Sequence, residues 1–167
     1  LAGEEGGHTA EFLLTHPVSR GRIAAEKLAA LAAMILALNL VCFACGMGSI
    51  LGIGEEPVWS DLLKYHGTLL LMQLEIGGVC FGLSSLLRRS SYGLAIGLAA
   101  GMYFLGIFIN LDTGMEPLRF VTPYYYADAA RVFAGEPLAD AIAVGCGLGV
   151  LGAAFGLWRY AGKDIAA

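Results

Sequence analysis

Four apolar runs, at about residues 28–53, 69–87, 92–111 and 138–158, constrain this chain more than anything else in it. A helix rises about 1.5 Å per residue, so about twenty residues cross the ~30 Å hydrocarbon core of a bilayer. Inside that core every backbone N–H and C=O must be satisfied by the chain itself, and a helix does this within one segment. The charge content agrees. Only 14% of the 167 residues are charged, against about 25% in soluble domains. The reading is an all-α, polytopic membrane helical bundle with four spans.

The 24 glycines fit that reading. Gly78 and Gly82 lie one turn apart, as do Gly93, Gly97 and Gly101. Gly145, Gly149, Gly152 and Gly156 recur at helical spacing. Such strips let helix backbones approach closely in a membrane. Other classes of function lack their residues. A net charge of −4 offers no basic surface for nucleic acid. Cys42 and Cys45 have CxxC spacing but lie in an apolar run without the further ligands that zinc needs, so no metal site is expected. His8, His16 and His66 are scattered, and no Ser–His–Asp spacing suggests a catalytic group. No phosphate loop is present, so this chain is expected to bind no cofactor, and any ATP-driven work falls to another polypeptide.

Three polar residues stand inside the runs: Asn39, Gln73 and Glu75. A charge at a span centre costs roughly 2.5–3.5 kcal/mol even on lenient scales. Glu75 is therefore read either as a pathway or gating carboxylate, or as a buried hydrogen-bonding group locking two helices through Gln73 or Asn39. Between the runs, Ser60 or Asp61 can cap a helix, and Trp59 and Tyr65 suit a headgroup layer. Thr122-Pro123 reads as a cap followed by proline at the first helical position. A short aromatic helix then carries Tyr124, Tyr125 and Tyr126 and ends at Gly135, too short to cross the bilayer. Seven of the ten Lys+Arg residues lie before the first run, between the second and third, or after the fourth. By the positive-inside rule these segments and both ends are cytoplasmic, and segments 55–66 and 112–136 lie outside.

Ahead of the first run, residues 4–16 read as a short helix. Thr9 can cap it, Glu11 suits its positive end, Phe12, Leu13 and Leu14 give it an apolar side, and Pro17 stops it. Ser19 is placed to cap the next helix. The run from His8 through Pro17-Val18-Ser19-Arg20, followed by Glu26-Lys27, resembles the cytoplasmic coupling segment of permeases of the type-2 ABC exporter class, although His8 stands where glycine or lysine is frequent. The segments Leu71–Ile76 with Cys80–Gly82, and Thr122–Asp128, extend the resemblance over most of the chain.

The resemblance implies a permease domain over 1–167, partial because the family commonly has six spans and this chain would hold the last four. It implies a prokaryotic plasma-membrane location, a cytoplasmic ATPase subunit carrying ATP and Mg, and a second permease copy or related permease. Glu5, Thr9, Glu11, Phe12, Leu13, Leu14 and Pro17 would contact the ATPase. Pro123, Tyr124, Tyr125 and Tyr126 would belong to an outer gate, an interfacial aromatic belt being the plainer reading. The function so implied is export, in a chain that is not itself an enzyme. Apolar spans suit lipophilic or amphipathic cargo. The alternatives are a non-transporting assembly or sensor subunit, and a membrane-embedded enzyme using Glu75 or His66.

Overall fold

The computed structural model describes residues 19–87, 92–111 and 113–162. Within them the regular elements are helices: α1 (Arg20–Gly52), α2 (Trp59–Leu86), α3 (Tyr92–Leu111), a 3₁₀ segment (Thr113–Phe120), α4 (Ala129–Ala134) and α5 (Ala139–Ala161). The four long ones are each long and apolar enough to cross a membrane. Their outward faces carry Leu38, Val41, Ile96, Phe104 and Leu151, all more than half exposed. So much apolar surface on one chain suits lipid, not water.

The helices start and stop where local chemistry directs, with two departures from expectation. Ser19 caps α1, its Oγ accepting from Arg22 N at 3.4 Å. The basic collar is itself helical, so α1 begins well before the apolar run. Gly54, at φ 81°, turns the chain out of α1 in a left-handed conformation that favours glycine. Neither Ser60 nor Asp61 caps α2. Val58 occupies that position without a side-chain bond, Ser60 bonds to Asp61, and Asp61 sits in the first turn against the positive helix end.

The second departure is in the segment between α3 and α5. No helix starts at Pro123. Residues 123–127 form consecutive turns, and α4 begins only at Ala129, capped by Asp128 Oδ1 accepting from Arg131 N at 3.2 Å. Thr122 accepts from Tyr124 N as a cap would, and donates to Met102 O at 2.7 Å, but the turns that follow Pro123 do not continue into a helix. Gly135 does close α4, at φ 71°.

The α2–α5 pair is the axis of the bundle, and its glycines set the approach. A Cβ on Gly78 would land on the Gly149 carbonyl oxygen. One on Gly82 would stand 2.5 Å from Gly152 O, and one on Gly156 would stand 2.6 Å from the Phe81 ring. The expected strips on these two helices therefore face each other. The strip on α3 does not: a Cβ at Gly93, Gly97 or Gly101 would have nothing within 4 Å among the described residues. Helix α1 lies against both α2 and α5, whereas α3 meets the rest chiefly through the 3₁₀ segment.

Two clusters close the bundle at its ends. Ala24, Phe81 and Tyr160 fill one. Ile109, Tyr125, Tyr126, Val132, Leu138 and Ala141 fill the other, where the 113–138 segment packs on α3 and α5.

Candidate functional site

Helix α2 carries Gln73 and Glu75 two positions apart, which turns them about 200° from each other around the helix axis. They cannot serve one partner. Gln73 faces α1, where its Oε1 accepts from Asn39 Nδ2 at 2.7 Å. Glu75 faces the other way, and its Oε2 accepts from Tyr126 Oη at 2.8 Å. The expected intramembrane trio thus divides into two locks. The partner of Glu75 is neither Gln73 nor Asn39; it is a tyrosine 51 positions later.

Glu75 and Tyr126 are 2% and 1% exposed. Gly145 on α5 makes the space between them: a Cβ there would collide with Glu75 Oε2 and approach Tyr126 Cε1 to 3.0 Å. Burial, followed by the Glu75 carboxyl to which it donates, pushes the Tyr126 phenol far above its ordinary range. Tyr126 therefore keeps its proton and remains a donor.

The same short segment is tied down on every side. Thr122 reaches Met102 on α3, as described, and also accepts from Tyr124 N at 3.3 Å. Tyr124 packs edge-on against Tyr103, ring centroids 5.4 Å apart, and its Cβ lies where a side chain on Gly106 would go. Tyr125 lies under Arg131, whose Cζ is 4.1 Å from the ring centroid. Pro123 is fully buried. The three consecutive tyrosines thus contact three different neighbours, which a single helical face could not do.

Arg131 is the hub of this end. It donates to Asn110 Oδ1 through Nε at 3.3 Å and Nη2 at 2.8 Å. Its Nη1 donates to Glu136 Oε2 at 2.6 Å and Tyr125 Oη at 3.2 Å. Asn110 in turn donates to Asp128 at 3.3 Å. Arg119 makes the matching tie to α5, Nη2 to Asp140 Oδ2 at 2.6 Å. Two of the three basic residues assigned to this end by charge bias are therefore committed to holding the segment. Neither was singled out from the sequence; the only signal was that they lie on the sparsely basic side.

Arg131→Ala is expected to lower stability by about 1–3 kcal/mol, because it removes several charge-assisted bonds at once. Arg131→Lys should recover less than half, since an ammonium cannot reproduce the planar fork. Melting of the purified protein in lipid nanodiscs checks both.

The other residue considered for chemistry, His66, lies beside Phe43 and Tyr65, its Nδ1 buried without a hydrogen-bond partner among the described residues. The remaining expected site residues, Glu5, Thr9, Glu11, Phe12, Leu13, Leu14 and Pro17, lie outside the described residues.

The arrangement joins polar locks within a lipid-facing bundle to a plug-like segment at one end. Comparison with known proteins gives it a family. The family model described as ABC-2 family transporter protein matches residues 1–164. Searches of curated proteins and of solved structures found no match. With a match over nearly the whole chain and four helices fit to span a bilayer, this protein belongs to the ABC-2 transporter family, as a membrane-embedded permease of ABC transporter type.

Proposed function

We propose that this chain is the transmembrane subunit of an ATP-driven exporter and that a separate cytoplasmic ATPase, with its ATP and Mg, drives it. The family match over residues 1–164 carries this reading. Residues 4–16 are the lever: Phe12, Leu13 and Leu14 fill a cleft on the ATPase, Glu11 meets a basic group, and Glu5, Thr9 and Pro17 complete the contact. Both ends of the chain face the cytoplasm of a prokaryotic cell, and a second permease, identical or related, completes the pathway. The cargo is lipophilic or amphipathic, in keeping with spans that offer few charges.

In this reading the 113–138 segment lies outside and acts as the gate. Its support is the set of ties just described: Pro123 is buried, Tyr124 and Tyr126 connect the segment to α3 and α2, Arg131 ties it to Asn110 on α3, and Arg119 ties it to Asp140 on α5. A segment bolted to several helices responds to their relative movement. Two packings of the bundle, biased by ATP, would open and close it.

A photoreactive residue placed at each of positions 8–14 tests the lever. The expected result is crosslinking of Phe12, Leu13 or Leu14 to a co-purifying ATPase, weakened when ATP hydrolysis is blocked. An empty scan across all these positions, or labelling of His8 from the external face of intact cells, would overturn the assignment.

A further inference from the structure

Between the two end clusters, α1, α2 and α5 leave a cleft of about 310 Å³. Its walls are aliphatic, with Leu31 and Ile35 from α1, Leu74 from α2 and Val150 from α5. One wall residue is a carboxylate, Glu75. Small-molecule sites run from about 300 Å³ upward, mostly apolar, with a few polar groups that fix orientation. This cleft meets that description with one polar group.

Glu75 also has capacity to spare. Among the described residues its hydrogen bond is the one through Oε2 to Tyr126. A carboxylate accepts through two oxygens, and Oε1 is left for another donor. We propose that the α1–α2–α5 cleft binds a single-chain amphiphile bearing a cationic amine, with the alkyl chain along Leu31, Ile35, Leu74 and Val150 and the ammonium donating to Glu75.

Charge complementarity selects this occupant. A carboxylate held in an apolar wall by one neutral hydrogen bond is costly to charge, and an ammonium brought to it forms a charge-assisted bond. A neutral alkyl chain fills the space but leaves the acceptor unused. Binding also bears on the gate segment, because the amine and the Tyr126 hydroxyl then share one carboxylate.

The test is photolabelling of the full protein, with its co-purifying subunits, in phosphatidylcholine nanodiscs. The probe is dodecylamine carrying a diazirine in its chain, and labelled residues are mapped by mass spectrometry. Expected is saturable labelling confined to the cleft stretches of α1, α2 and α5. Unlabelled dodecylamine at about ten times its half-competing concentration should cut it about tenfold, and dodecanol should compete far less. Glu75→Gln keeps an acceptor but loses the charge, and should abolish the preference for amine over alcohol. Four results would each overturn the proposal: non-saturable label spread over the lipid-facing side chains of α3; equal competition by dodecanol, the mark of an ordinary acyl-chain groove; label on another polypeptide covering the cleft; or an unchanged amine preference in Glu75→Gln.

Discussion

Gly78→Leu is expected to prevent the α2–α5 pair from closing, with a loss of more than about 3 kcal/mol. Overpacking a core typically costs about 1–3 kcal/mol because neighbouring side chains swing aside. Here the obstacle cannot swing: the first atom added at Gly78 meets the carbonyl of Gly149, and the reciprocal Cβ on Gly152 would stand 2.7 Å from Gly78 O. Backbone faces backbone, so relief requires the helices to separate. Separation would expose Glu75, whose Cα lies 2.8 Å from where a Cβ on Gly149 would be. Gly48→Leu is the control, since a Cβ there would meet nothing within 4 Å among the described residues; its effect should stay within about 0.5 kcal/mol. Melting and size-exclusion profiles in nanodiscs compare the two. Equal melting temperatures would show that α2 and α5 are not in backbone contact.

That contrast also marks what could be read in the sequence. All the glycine strips are visible as strips, because spacing alone places residues on one helix face. Which strip meets which is a tertiary fact. The strip at Gly78 and Gly82 finds the one at Gly145–Gly156, while the strip on α3 finds no neighbour among the described residues. The four apolar runs were legible because length and hydropathy suffice for them, and the extension of α1 back to Arg20 was legible in its Ser19 cap; the start of α2 was legible only nearby, since Ser60 and Asp61 have the chemistry of a cap but Val58 holds the position.

The 113–138 segment shows a different limit. Thr122-Pro123 has the local chemistry of a helix start, yet the helix begins at Ala129. Local propensity lost to tertiary bonds: the Thr122 hydroxyl makes the cap-like bond to Tyr124 N and also ties to the Met102 carbonyl on α3, but each tyrosine is drawn to a separate neighbour, so no helix follows. Glu75 was legible as an anomaly because a carboxylate in an apolar run is rare. Its partner was not, because no periodicity links residues 51 apart.

Tyr126→Phe should cost about 2 kcal/mol, because it leaves a buried acceptor unpaired while changing almost nothing in shape. For a chain of this size that amounts to a fall of roughly 4–8 °C in melting temperature. The companion variants separate a hydrogen bond from mere packing. Glu75→Gln keeps an oxygen for Tyr126 and should lose less than about 1 kcal/mol. Glu75→Leu strands the tyrosine hydroxyl and should resemble Tyr126→Phe. The double variant Glu75→Leu/Tyr126→Phe removes both partners together and should recover most of the loss, since paired apolar replacement of a buried bond is close to neutral. Strict additivity in this cycle would mean that the two side chains do not interact. Transport measured across the same set then divides the two readings of Glu75. If Glu75→Gln transports normally and only melts earlier, the carboxylate serves to hold the segment against α2. If Glu75→Gln melts like the parent but stops transport, the charge itself acts in the pathway. The hydrogen bond to Tyr126 favours the first result, with transport failing only in the variants that release the segment.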